Sequence, residues 1–238
     1  MAKRILLKIS GESIADKENN FTFNTTKLEE IASLIHQIVS SGNQVGIVIG
    51  AGNIWRGKYA SLLNIDPADA DFMGMTGTVI NAVALTAAIK NTGTKAICMS
   101  AINVPPITVP FDENEAIQAL ENNTVIVFGG GTGKPFFTTD TAATLRAIQI
   151  KADEILMAKY GVDGVFSADP KVDKTAVFFE KLTFSDVLER KLQIMDLSAI
   201  ELIKDMDISI RVFNMEDPKN IIKVVSGEKI GTIISRGN

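Results

Sequence analysis

T-V-I-V-F-G-G-G-T-G-K-P-F-F-T-T-D-T-A-A, from Thr124 to Ala143, is the stretch on which the reading of this chain turns. Val125 to Phe128 is a short, continuously apolar run, as expected of a strand covered on both faces. It breaks into Gly129, Gly130 and Gly131, with Gly133 following Thr132. Glycines there suit backbone that turns sharply and lies close against another group. Pro135 ends the turn, and Thr139 or Asp140 can cap a helix running into Ala142, Leu145 and Ile148. Strand, glycine loop and helix start together offer an anion converging N–H groups and a favourable dipole.

Two familiar phosphate loops fail on spacing. A Walker A loop requires Ser or Thr after Gly-Lys, but Gly133-Lys134 is followed by Pro135, and Phe128 stands where its first glycine belongs. A Gly-x-Gly-x-x-Gly fingerprint begun at Gly129 meets Lys134 at its sixth place, which disfavours a dinucleotide-binding dehydrogenase. Alone, the loop could be a glycine-rich surface turn. It is not alone.

Working outward, Arg4 to Ile9 reads as a strand ending in Ser10-Gly11-Glu12, and Val45 to Ile49 as one running into Gly50-Ala51-Gly52-Asn53. Between them lie an irregular piece from Asp16 to Asn24 and a helix with a Thr26/Glu29 capping box and an Ile31, Leu34, Ile35, Ile38 stripe. Asp66-Pro67 opens a long helix with Phe72, Met75, Val79, Val83 and Leu85 on its apolar side, closed by Thr92-Gly93. A strand at Lys95 to Met99, a proline-rich loop from Val104 to Pro110 and a short helix capped by Asp112 precede the central stretch. After it come strands at Glu154 to Ala158, Ile208 to Phe213 and Gly231 to Ser235. Helices are expected near Ser185 to Lys191, Asp196 to Met206 and Asp217 to Val225. Strands alternating with helices imply crossover connections and a mainly parallel, helix-covered sheet.

The 238 residues, 46% hydrophobic and 22% charged, suit one large α/β domain. A formal net charge of −4 argues against a nucleic-acid or anionic-membrane surface, so an anionic ligand must be held by local groups. The apolar run that begins at Ile5 stops at Ser10, too short for a signal core, and no other segment reads as a membrane span. A single cysteine, Cys98, rules out an internal disulfide, and the expected compartment is the cytoplasm.

In a parallel sheet the strand C-termini lie along one edge, where ligands bind. Three glycine turns, after Ile9, Ile49 and Phe128, are expected to gather there. Charge collects with them. Lys8 reads either as a solvated strand-end lysine or as a ligand-facing cation, and Arg56 either as a surface arginine or as a phosphate fork. Asp140 can cap its helix, orient a catalytic cation, or both. His36 belongs to a helix, and no Cys/His cluster suggests a metal held by the chain. Glycine loops and isolated cations without a general base describe phosphoryl transfer, which needs positioning and charge neutralisation.

These motifs resemble the amino acid kinase superfamily, and within it the bacterial UMP kinases. The residues that carry the resemblance are K-I-S-G-E (Lys8 to Glu12), G-A-G-N-I-W-R-G (Gly50 to Gly57), D-F-M-G-M (Asp71 to Met75), G-T-G-K-P-F-F-T-T-D (Gly131 to Asp140), V-D-G-V-F-S-A-D-P (Val162 to Pro170) and M-D-L-S-A (Met195 to Ala199). They fall in the family's order over nearly the whole chain. The resemblance implies a three-layer α/β/α sandwich forming a single domain over residues 1–238. An N-terminal acceptor lobe would span roughly residues 1–150 and a C-terminal ATP lobe residues 151–238. It further implies transfer of the γ-phosphate of ATP to UMP, with Mg²⁺ accompanying ATP, and assembly as a homohexamer.

By the same resemblance Lys8 neutralises the phosphoryl group in flight, Asp140 orients it, and Ile9, Ser10 and Gly11 cradle ATP phosphates. Gly52 and Arg56 reach the phosphates from the second loop, with Ala51 on the UMP side. Asp71 holds the UMP ribose, and Thr132, Gly133, Lys134, Pro135, Phe136, Phe137, Thr138 and Thr139 surround UMP. Tyr160, Phe166 and Asp169 line the adenosine pocket, and Asp196 lies near the site. Two departures stand out. Ala51 replaces a glycine, which is compatible only with ordinary backbone there. The segment Ala15 to Asn24 lacks the glycines that relatives associate with GTP activation, so a weak GTP response is expected. Carbamate, acetylglutamate or aspartate kinase activity, or nucleotide binding without catalysis, are the competing readings.

Overall fold

The computed structural model describes residues 2–16, 19, 21–170, 172–192 and 194–237. Lys17, Glu18 and Asn20, within the segment tied to the GTP expectation, lie outside the described residues. The strands are β1 (Arg4–Ile9), β2 (Gln44–Ile49), β3 (Ala96–Ser100), β4 (Val109–Pro110), β5 (Val125–Gly129), β6 (Glu154–Lys159), β7 (Val165–Phe166), β8 (Phe178–Phe179), β9 (Lys181–Thr183), β10 (Ser209–Asn214) and β11 (Thr232–Ser235). The helices are α1 (Thr25–Ser40), α2 (Pro67–Asn91), α3 (Glu113–Glu121), α4 (Thr139–Gln149), α5 (Phe184–Glu189), α6 (Leu197–Ile203) and α7 (Asn220–Val225).

Among the described residues a nine-stranded sheet runs β4-β3-β5-β2-β1-β6-β10-β11-β9, and only the β10–β11 pair is antiparallel. The apolar strand runs are continuous because both faces are covered. In β1, Ile5, Leu7 and Ile9 join a core with Ile31 and Ile35 of α1, Leu85 of α2 and Val224 of α7. Leu6, the alternate residue, points into the opposite core with Leu120 of α3, Ala147 of α4 and Ile200 of α6. Helices therefore sandwich the sheet, as expected. Strands from both halves of the chain share it, with β1 between β2 and β6.

Several local expectations need correction. Helix α1 is capped by Asn24, whose side chain accepts from the Lys27 amide, and not by the Thr26/Glu29 box; asparagine is as good a cap and lies two residues earlier. Helix α4 is capped by Thr138, whose hydroxyl accepts from the Asp140 and Thr141 amides, so neither Thr139 nor Asp140 is the cap. Its inner face is Ala142, Ala143, Arg146 and Ala147, while Leu145 and Ile148 are only half-buried. Phe72 is exposed on α2. The loop from Val104 to Pro110 ends in β4, an edge strand where Pro110 need not donate to a neighbour. Strands β8 and β9 lie where the sequence offers no clear alternation.

One buried polar residue ties α2 to the strand ends. Asn81 has no exposed surface; its Nδ2 donates to the Gly50 carbonyl at 2.7 Å and to Asn53 Oδ1 at 2.8 Å. Asn53 in turn donates to Asn81 Oδ1 at 3.2 Å and to the Thr22 carbonyl at 3.0 Å. Asn81→Ala strands these partners in a dry site and is expected to cost about 1–3 kcal/mol. A melting temperature within a degree of wild type would contradict that role for Asn81, because each kcal/mol moves it by roughly 2–4 °C at this chain length.

Candidate active site

Strands β5, β2 and β1 are neighbours, so their C-terminal turns meet at one edge of the sheet. The turn after β5 takes left-handed backbone at Gly130 (φ 75°), Gly131 (φ 56°) and Gly133 (φ 75°). A Cβ on Gly130 would lie 2.7 Å from the Ile102 nitrogen, so glycine is required by space as well as by φ. The Gly130 amide donates to Thr78 Oγ1 at 2.9 Å and the Gly133 amide to the Gly130 carbonyl at 2.9 Å. The amides of Gly131 and Thr132 have no hydrogen-bond partner among the described residues. Adjacent free donors in this conformation form an anion-binding concavity.

Gly11, in the turn after β1, lies so close to its neighbours that a Cβ there would be 2.5 Å from the Gly50 carbonyl oxygen. In the turn after β2, Ala51 does not take positive φ. Its methyl faces Gly77 of α2, where a Cβ would stand 2.9 Å from it. The second loop thus tolerates alanine because the helix opposite supplies the glycine.

Lys8, at the end of β1, places Nζ 2.7 Å from Asp140 Oδ1. Lys159, the last residue of β6, places its Nζ 3.5 Å from Asp140 Oδ2. Burial works against ionising Asp140, but the two ammonium groups outweigh it and hold the carboxyl below the usual carboxylate range. Burial, with Lys8 adding to it, pulls the Lys159 amine below its usual value, while Asp140 opposes the shift. The sequence reading missed Lys159. The signal was close to the one that marked Lys8: a lysine at the C-terminal end of an apolar strand, here E-I-L-M-A-K.

The other expected residues fall into smaller groups. Arg56 donates from Nε to the Gly52 carbonyl at 3.1 Å and pairs through Nη2 with Glu12. Asp71, in the first turns of α2, accepts from the Phe136 amide at 2.7 Å and so ties the long helix to the loop before α4. In that loop Thr132 Oγ1 bonds the Lys134 amide and carbonyl at 3.2 and 3.1 Å. Pro135 and Thr139 are half-buried, and Phe136 and Phe137 are exposed. The Thr138 hydroxyl donates to Asp196, the residue that opens α6. Tyr160 follows Lys159 at the sheet edge, and Phe166 packs edge-on against Phe178 at 5.2 Å. Asp169 turns the chain through its carbonyl, which accepts from the amides of Val172 and Asp173. His36 bonds Thr94 on α1's own side of the sheet and belongs to none of these groups.

The sequence profile described as "Amino acid kinase family" matches residues 3–214. Among solved structures, a UMP kinase from Bacillus anthracis superposes with a TM-score of 0.95 at 40% identity, over 99% of this chain and 97% of that one. A UMP kinase from Ureaplasma parvum gives 0.93 at 37% identity, over 99% of both chains. A uridylate kinase from Archaeoglobus fulgidus gives 0.75 at 31% identity, over 98% of this chain and 100% of that one.

Removing the carboxylate between two half-buried cations has a defined signature. In the wild type Asp140, its folded pKa lowered, contributes stability that is present above the ordinary carboxyl pKa and lost as pH falls through the lowered value. Asp140→Asn should cost about 3 kcal/mol at neutral pH. It should also steepen the rise of stability with pH on the alkaline side, because Lys159 then loses the carboxylate that chiefly opposes the lowering of its pKa, leaving only the weaker pull of Asp196. Melting curves across pH check this; wild-type and variant profiles that run parallel would contradict the shared-carboxylate arrangement.

Proposed function

The chain belongs to the amino acid kinase family, and we propose that within it this protein transfers the γ-phosphoryl group of ATP to UMP, yielding UDP and ADP for pyrimidine nucleotide synthesis. The observation that carries the proposal is the Lys8–Asp140–Lys159 contact beside a glycine loop with free amides, in a chain superposing over its full length on UMP kinases.

A phosphate oxygen of UMP is already anionic, so it attacks the γ-phosphorus without a general base. The bond to the γ-phosphorus forms as the bond to the β-phosphate bridging oxygen breaks, and ADP leaves. Charge on the transferring group is what the protein must neutralise. Lys8 is placed to do so, held by Asp140, with Lys159 as a second cation on the same carboxylate. Backbone at Ile9, Ser10, Gly11 and Gly52 would cradle the ATP phosphates. Arg56 would join them by exchanging Glu12 for phosphate, a modest demand because the pair is 44% exposed on the arginine side and such pairs are worth about 0–1 kcal/mol. The acceptor would lie along Ala51, Asp71 and Thr132 to Thr139 in residues 1–150. Adenosine would lie near Tyr160, Phe166 and Asp169 in residues 151–238.

Mg²⁺ would arrive on the triphosphate. Lys8 and Lys159 engage Asp140, Arg56 engages Glu12, and no cluster of three His, Cys, Asp or Glu stands ready for a metal among the described residues. On the triphosphate Mg²⁺ would be coordinated chiefly by phosphate oxygens and water. Bound so, it supplies further charge neutralisation. Assembly as a homohexamer in the cytoplasm completes the proposal; exposed Leu62, Leu63, Met73 and Ile80 support self-association.

ADP formation from ATP with a panel of acceptors tests the reading. UMP should be turned over, and carbamate, acetylglutamate and aspartate should not; no ADP with UMP would contradict it. Asp71 offers a finer test. Its Oδ2 holds the Phe136 amide, and Oδ1 has no partner among the described residues, which suits a ribose hydroxyl. Asp71→Asn should raise the KM for UMP roughly tenfold and leave that for ATP unchanged, since a contact made in ground and transition states alike affects binding. Equal KM values for UMP in variant and wild type would exclude the ribose role.

A further inference from the structure

We infer that Arg146 is a positioning residue for the acceptor: it fixes the Gly131–Thr132 peptide so that the free amides of the glycine loop face the UMP phosphate. The inference rests on the function proposed above.

Arg146 is a full cation in the core, 4% exposed, on the inner face of α4. Among the described residues no carboxylate pairs with it. Its guanidinium carbon lies 3.7 Å from the centre of the Phe111 ring and 5.8 Å from that of Phe128, the residue before the glycine run. Nη1 donates to Gln149 Oε1 at 2.6 Å, and Nη2 to the Gly131 carbonyl at 3.3 Å. Burial lowers its pKa to about 10, so it stays charged at neutral pH.

Stability alone does not account for this residue. A buried cation without an anion is costly, and an apolar side chain of similar volume is often neutral or stabilising in such a place. Its position in the last turn of α4 suits the helix dipole, but the guanidinium reaches away to the loop. What the contact does is geometric. A trans peptide is planar, with its carbonyl and the next amide pointing in opposite directions. Holding the Gly131 carbonyl toward Arg146 therefore turns the Thr132 amide away from the core, and that amide has no partner among the described residues. Gly130, Gly131 and Gly133 bring no side chains to restrict the backbone on either side of Thr132, and the Thr132 hydroxyl bonds forward to Lys134, so the Gly131–Thr132 peptide is oriented from outside the loop. The aromatic rings and Gln149 fix the plane of the guanidinium, which lysine cannot imitate.

The test compares Arg146→Met and Arg146→Lys with wild type for both KM values, kcat and melting temperature. Arg146→Met should raise the KM for UMP roughly tenfold while the KM for ATP stays unchanged and the melting temperature holds or rises. Arg146→Lys should recover part of the loss. An unchanged KM for UMP in folded Arg146→Met overturns the inference, as does a parallel rise in both KM values. If Arg146→Met does not fold, Gln149→Ala, which frees the guanidinium, is read the same way: a selective rise in the KM for UMP supports the inference and no change overturns it. Wild-type protein without UMP turnover would remove the proposed function and this inference together, whereas wild-type turnover with unaffected variants removes the inference alone.

Discussion

Two ammonium groups share one carboxylate at the C-terminal edge of the sheet, and the surrounding structure serves to keep Lys8, Asp140 and Lys159 together. Each comes from a different element: the end of β1, the first turn of α4 and the end of β6. Because β1 and β6 are paired in parallel, their C-terminal ends, which carry Lys8 and Lys159, lie at the same edge. Because Thr138 caps α4, the Asp140 carboxylate is released from the helix and turns to the lysines. The contact carries net positive charge into a partly buried place, where it attracts an anion more strongly than it would in water.

The loops around this contact are held from behind. Asn81 fixes the turn after β2, Gly11 lets the first two turns touch, and Gly77 makes room for the Ala51 methyl. Asp71 ties α2 to the loop before α4, and Thr138 ties that loop to Asp196 at the start of α6. None of these holds involves a large apolar contact. They are hydrogen bonds and close backbone approaches, which set position more than they set stability.

The sequence made the strand–helix alternation, the parallel sheet and the edge of glycine turns legible, because apolar runs ending in glycine carry their own explanation. Lys8, Arg56 and Asp140 stood out as charges beside those turns. Lys159 did not, since a lysine before Tyr160 reads equally as a solvated strand end until the fold sets it opposite Asp140. Asn81 and Arg146 were hidden for a related reason: a lone polar residue in a helix looks like surface, and only packing shows that it is buried. The caps of α1 and α4 moved by one or two residues because adjacent Asn, Thr and Asp compete for the same amides. Phe178 to Thr183 gave no strand signal, their pairing being set by contacts distant in the chain.

The claim at the centre of this account is that Lys8 neutralises charge on the transferring phosphoryl group, held there by Asp140. The most direct measurement is single-site kinetics of Lys8→Met, with ATP binding followed separately by calorimetry. Lys8→Met should fold and bind ATP nearly as wild type while kcat for UMP phosphorylation falls by roughly 10²–10³-fold. Near-wild-type turnover in that variant would contradict the claim.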